Sequence, residues 1–419
     1  MLTMIRVTNM FSMKDSKPHA LQRRLVSNSY SKSQLQASPE IHHIAQNLIF
    51  DRYLPLLDSF ATSGASVEVH ELNFATTMDF INAYIFGLSN GSNFIQDLET
   101  RKHLLHIYQC RRPYIFYPQE IPSMTNSIQK LRIPIIPKWV DAATNEFEAF
   151  CLKMCNAAAQ SLKATSLKPA NTPVVYRNLS PLLPKASSSS PSTSGPDPSL
   201  LIASELLDHL AAGHETSGVT LTYALYRLSQ HPALQSALRT ELSTLSPPIT
   251  YPPSTDPPSL PSPRQIDSLP LLHAILTETL RLHAAIPGPQ PRETPATPTS
   301  LAGSPPLPGG VRVSAQAYSL HRNADVFPEP EEWKPERWMK ASKEGKEEMA
   351  RWFWAFGSGG RMCVGSHFAM QEMKLLLAAI YTNYTTSIID DTGIEMIDAY
   401  VSGPKGNQLT LRFERADGA

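Results

Sequence analysis

A mainly α-helical chain with small β-sheets is what the sequence predicts, and three observations predict it. Apolar residues recur at helical spacing through several long, breaker-free segments; strand-like alternation is confined to two short runs; and the 37 prolines are clustered.

Taken in order, residues 71–88 repeat apolar side chains at Leu72, Met78, Ile81, Ile85 and Leu88, the pattern of an amphipathic helix. The stretch 161–199 is poor in large apolar residues and rich in Pro and Ser, which predicts a flexible connector. Leu200–Gln230 is a long helix interrupted only by Gly213 and Gly218. Pro232 suits the first turn of a further helix to about Leu245. A second flexible insert, 246–264, holds so many prolines that neither helix nor central strand can form. Leu271–His283 reads as helix, 287–310 as a Pro/Gly-rich loop, and 365–384 as a strong helix entered from a glycine turn. Val311–Leu320 and Leu409–Phe413 alternate as strands. No repeat of 20 to 50 residues is present, so residues 1–419 are taken as one catalytic domain.

Composition narrows the function. Basic and acidic residues number 37 each, which removes the electrostatic case for a nucleic-acid partner. Four scattered cysteines make no disulfide framework and fit a reducing, cytosol-facing compartment. No run approaches the roughly 20 apolar residues of a membrane span. Cys151 and Cys155 lie four apart without further ligands at metal spacing, and Cys110 is alone; all three read as structural. The Asn-x-Ser/Thr triplets at Asn90, Asn178 and Asn383 read as coincidental without a secretory signal.

The chemistry concentrates at Phe356-Gly-Ser-Gly-Gly-Arg-Met-Cys-Val-Gly365. Its glycines permit a tight turn and close approach to a flat ligand. Cys363 stands at the mouth of the next helix, where amides and the helix dipole favour a thiolate, the ligand that pushes electron density onto heme iron. Arg361 is placed to neutralise a propionate. Upstream, Ala211-Ala-Gly-His-Glu-Thr-Ser217 puts a glycine in mid-helix, and Thr216 is set to bond the carbonyl of Ala212. This arrangement predicts a notch for dioxygen, with Glu215 and Thr216 relaying protons; His214 is expected to pack or face solvent. Glu278-Thr-Leu-Arg281 sets acid and base on one helix face.

The filled pattern Phe-x-x-Gly-x-Arg-x-Cys-x-Gly resembles the signature of the cytochrome P-450 family, most closely its filamentous-fungal members. The likeness runs from about Met10 to the C-terminus and implies the cytochrome P-450 fold. It implies heme (iron protoporphyrin IX) with Cys363 as its metal ligand, Phe356 and Gly365 shaping the loop, and Arg361, Arg292, His19 and Arg23 on the propionates. Glu278, Arg281 and Arg337 become a buried ion-pair frame beneath the heme. The pocket is expected around 206–213, 285–287 and 400–403, favouring an apolar substrate.

The resemblance further implies O2, a separate NADPH-dependent flavoprotein reductase, a monomer, the cytosolic face of the endoplasmic reticulum, and a place in specialised metabolism or detoxification. Family members carry an anchor, early helices and part of a β-rich subdomain ahead of the His19 helix. The sequence starts just before that helix, so an N-terminally shortened member is expected. The alternatives are a heme-thiolate isomerase or dehydratase, disfavoured by the Glu215–Thr216 pair, and a non-catalytic heme binder.

Overall fold

The computed structural model describes residues 7–131, 133–182 and 197–416. Helices dominate, with a three-stranded antiparallel sheet and a two-stranded one, as expected. The small sheets consist of β1 (Ser66–Glu68), β2 (Pro289–Glu293), β3 (Arg312–Gln316), β4 (Tyr384–Asp390) and β5 (Thr410–Arg415), ordered β1-β5-β4 and β2-β3.

Two crossing helices form the centre, Val69–Phe86 and the long Pro198–Ser229. The first is buried on nearly every face, so the amphipathic expectation is corrected: a helix buried all round is a central one. Its polar residues look like a solvent face in the sequence but serve the interior. Asp79, for example, accepts from Ser92 Oγ and from the amides of Phe94 and Ile95 at 2.6–3.0 Å. Glu68 caps its N-terminus by accepting from the amides of His70 and Glu71.

The two glycines of the long helix set how closely the pair approach. A Cβ on Gly213 would lie 2.7 Å from Ile81 Cγ1, and one on Gly218 would lie 2.2 Å from Phe74 Cδ1. Neither gap is spare room. Gly218→Ala is therefore expected to lower stability by about 1–3 kcal/mol through overpacking. Urea unfolding checks this, and an unchanged midpoint would mean the helices separate at no cost.

Four expectations about elements are corrected. The strand from Val311 stops at Gln316 and turns into a helical turn at Ala317–Leu320, because its partner β2 begins at Pro289, opposite Gln316. That partner lies inside the presumed loop 287–310; its prolines are tolerated because a two-stranded sheet has only edges. Part of the presumed connector 161–199 is packed structure: Val174–Leu179 is a helix with Val174, Val175, Tyr176 and Leu179 buried. The 246–264 insert is irregular yet tethered. Asn383 donates to the carbonyl of Ile249 and accepts from the amide of Tyr251, both at 2.7 Å, while Ile249 and Leu260 are buried.

Helix Ser366–Asn383 runs directly into β4, and helix Pro270–Leu282 carries the Glu278–Arg281 pair. Among the described residues no helix is long and apolar enough to cross a membrane.

Candidate active site

The thiolate loop is closed by its own backbone. The amide of Cys363 donates to the carbonyl of Phe356 at 2.9 Å, and that of Gly357 to Trp354 at 2.9 Å. Gly357 and Gly359 both take φ of +68°, a conformation that side-chain-bearing residues avoid. Gly365 then caps helix Ser366–Asn383.

Of the four cysteines, Cys151 and Cys155 are buried, Cys110 is half-buried, and Cys363 alone is exposed. Burial nevertheless raises the Cys363 thiol, against the pull of the Gly365 and Ser366 amides and of Arg23.

The long helix presents its matching face. From Ile202 to Leu225 every residue is buried except Asp208, Ala212, Gly213 and Thr216, which share one face at helical spacing. Thr216 Oγ1 donates to the Ala212 carbonyl at 2.8 Å, as its position implies. Leu206, Leu207 and Leu210, expected in the pocket, are core. Ile286 and Pro287 are half-buried, and Tyr400 is 49% exposed. Tyr400 shows the same double sign as Cys363: burial raises its hydroxyl, and the charges of Asp208, Glu215 and Cys363 act on it. Asp208 on this stripe acts on both Cys363 and Tyr400, so the loop, the stripe and Tyr400 are within electrostatic reach of one another.

Glu215 is not on the open face. It is buried against Tyr108, whose hydroxyl donates to it at 2.7 Å, and paired with Arg112. Burial raises its carboxyl while Arg112 opposes that rise. The expected direct Glu215–Thr216 relay is thus not formed at rest, because consecutive helical residues point about 100° apart. His214 packs between Tyr108 and Phe74 and bonds the Leu210 carbonyl; burial drops its ring to about 4, so it is neutral.

On the other side three arginines gather around His19. Burial lowers His19, and Arg361, Arg23 and Arg292 lower it further; Arg361 is lowered by burial and then by Arg292. Arg361 donates to the carbonyls of Met13 and Lys14, Arg23 to that of Met362, and Arg292 to that of its neighbour Pro291. None of these three arginines has an acidic partner among the described residues. Arginines without an acidic partner, clustered around a neutral histidine, fit a doubly anionic ligand such as the propionate edge of heme.

Beneath the loop, Glu278 and Arg281 are 0% exposed and bidentate at 2.8 and 2.9 Å. Glu278 also accepts from Arg337 Nε, Trp338 Nε1 and the Lys334 amide, each at 2.9 Å. Arg281 spends its remaining donors on the carbonyls of His321, Pro330 and Glu332. The connection missed in the sequence is His321. Its Nε2 accepts from the Trp354 amide at 2.7 Å, which leaves Nδ1–H to donate to the Arg281 carbonyl at 2.8 Å. Burial holds this ring at about 4, in the neutral form that geometry demands. Frame and thiolate loop are joined through it.

A family model for cytochrome P-450 matches residues 6–411. The chain belongs to the cytochrome P-450 family. Among curated relatives, cytochrome P-450 monooxygenase avaI of Aspergillus versicolor is 28% identical over 381 residues, covering 88% of this chain and 82% of that protein. A cytochrome P-450 monooxygenase of Gibberella zeae is 27% identical over 408 residues, 96% of this chain and 76% of its own length. Monooxygenase penB of Penicillium thymicola is 25% identical over 401 residues, 91% and 81% respectively. As a P-450 the chain is an oxidoreductase whose cofactor is heme with a cysteine thiolate on iron.

Proposed function

We propose that this P-450 is a monooxygenase inserting one oxygen atom from O2 into an organic substrate with an apolar body, in fungal specialised metabolism or detoxification. Electrons come from an NADPH-dependent flavoprotein reductase at the cytosolic face of the endoplasmic reticulum. The observation that carries this reading is the exposed Cys363 in a backbone-closed glycine loop together with the open Ala212–Thr216 stripe of the long helix.

Heme, when bound, supplies the iron at which dioxygen is reduced and split. Cys363 would hold the iron as thiolate, the Gly365 and Ser366 amides and Arg23 opposing the burial that raises its thiol. His19, Arg23, Arg292 and Arg361 would take the propionates, and Phe356 and Gly365 would shape the loop. Glu278, Arg281 and Arg337 keep the loop in place through His321. Thr216 holds a proton at Oγ1 on the open stripe of the helix, donated at rest to the Ala212 carbonyl. Glu215 resupplies it after leaving Arg112 by a rotamer change, its burial favouring the protonated form.

Reduced protein treated with carbon monoxide should show the red-shifted Soret band of thiolate-ligated iron. With reductase and isotopically labelled dioxygen, one labelled atom should enter the product; a thiolate spectrum without label incorporation would refute the monooxygenase. Thr216→Val keeps the shape and removes the proton. Product should fall about 100-fold, within the range of general acid catalysis, while NADPH consumption falls much less. An unchanged ratio of product to NADPH would remove Thr216 from the relay.

A further inference from the structure

One buried carboxylate ties together two parts of the chain that carry the cationic cluster. Glu205, 0% exposed on the long helix, accepts through Oε2 from the Met10 amide at 2.9 Å and from Gln22 Nε2 at 3.2 Å. Gln22 lies on the helix Ser16–Ser27, between His19 and Arg23. Met10 lies in the segment 7–14, whose far end is gripped by Arg361. Nη1 and Nη2 of that arginine donate to the carbonyls of Met13 and Lys14 at 2.7 and 2.9 Å. Glu205 is also backed from within: its Oε1 stands 3.3 Å from His209 Nε2, and the other nitrogen of that ring meets Tyr30 Oη at 3.0 Å.

The chain between the two anchors is stiff. Asn9 and Ser12 exchange bonds, each amide donating to the other's side-chain oxygen at 3.0 Å, and the Met13 amide donates to the Asn9 carbonyl at 3.1 Å. Ser204, beside Glu205, adds two ties: its hydroxyl donates to the Val7 carbonyl at 2.8 Å, and its carbonyl accepts from Asn9 Nδ2 at 3.3 Å. Asn9, Met10 and Ser12 are buried. A closed turn therefore links the amide that Glu205 holds to the carbonyls that orient Arg361. An arginine whose fork is already fixed on backbone carbonyls has less rotamer freedom left to lose when it grips an anion. That advantage lasts only while Met13 and Lys14 stay in place, which returns the control to Glu205.

Resting on the heme-thiolate reading, we propose that Glu205 is a positioning residue of the propionate cradle. Through segment 7–14 it sets Arg361, through Gln22 it sets the His19–Arg23 helix, and it thereby governs how long the chain retains heme.

The test follows transfer from the heme-loaded full chain to excess apomyoglobin, side by side for heme and for heme dimethyl ester, whose esterified propionates carry no charge. Glu205→Leu keeps the volume and removes the acceptors. It should speed the loss of heme at least about tenfold, the weight of one hydrogen bond to a charged group, and leave the ester's rate unchanged. Glu205→Gln, which retains an acceptor for the Met10 amide and Gln22, should restore most of the wild-type rate. Combined with Arg361→Gln, the leucine change should have a smaller effect than alone. Should the leucine variant not fold, Glu205→Asp, which keeps the charge and retracts both oxygens by one carbon, is read in its place with the same selectivity expected. An unchanged heme rate, or equal acceleration of heme and ester, overturns the proposal, since a merely structural carboxylate would loosen both alike. The carbon monoxide spectrum keeps the two readings apart: a wild type without the thiolate signature would sink the site itself, whereas an intact signature without the heme-over-ester effect sinks only Glu205.

Discussion

Glu278→Ala is expected to yield protein that accumulates poorly and retains almost no heme. The carboxylate accepts five hydrogen bonds, two from Arg281 and one each from Arg337, Trp338 and the Lys334 amide. Its removal strands the Arg281 guanidinium at 0% exposure, and Arg337 beside it. Breaking a buried pair by deleting one partner costs about 3–5 kcal/mol, because the surviving charge keeps its desolvation penalty. A domain whose whole stability is about 5–15 kcal/mol cannot absorb that without populating open forms. The damage also has a direction. Arg281 holds the chain at His321, and His321 holds the Trp354 amide at the start of the thiolate loop. Loop order should therefore fail before the distant helices melt. Glu278→Gln, which keeps the shape and some acceptors, should fall between. The measurement is Soret absorbance per chain alongside circular dichroism. A folded Glu278→Ala protein with full heme content would show that the frame is dispensable.

How far the sequence reveals this arrangement depends on the range of the interaction. Local patterns were legible: the long helix, Pro232–Leu242, Pro270–Leu282 and Ser366–Asn383 follow from periodicity, proline position and glycine turns. The Thr216–Ala212 bond and the Glu278–Arg281 pair span four and three residues and were legible for the same reason. Partners far along the chain were not. Tyr108 and Arg112 hold Glu215 from a hundred residues upstream, and nothing in their local sequence marks them. His321 sits between an unremarkable Leu320 and Arg322. Val69–Phe86 misled because buried polar residues that bond loops look like a solvent face until the loops are in place. β4 follows its helix without a turn residue and pairs only with the distant β5.

Cys363→Ser should leave the fold intact and remove the enzyme. The substitution keeps size and polarity roughly constant. The loop is closed by backbone bonds and by glycines at positive φ, not by the sulfur. Thermal stability of the heme-free chain should therefore shift by less than about 1 kcal/mol. Function should respond quite differently. Changes one shell outside a metal commonly cost about 10- to 100-fold in affinity or activity, and loss of the axial ligand should exceed that. A serine hydroxyl stays protonated at the helix entrance where a thiol can ionise, so the donation that favours O–O cleavage disappears with the sulfur. Heme that still enters, held by His19 and the cationic edge of Arg23, Arg292 and Arg361, should lack the red-shifted band with carbon monoxide and give no product. Cys110→Ser and the Cys151→Ser, Cys155→Ser pair supply the control. Two of those thiols are buried in the core and one is half-buried, so these variants should alter stability and leave the spectrum unchanged. A thiolate signature surviving in Cys363→Ser, or vanishing in any of the others, would assign the iron to a different sulfur and detach the notch at Gly213 from the chemistry proposed for it.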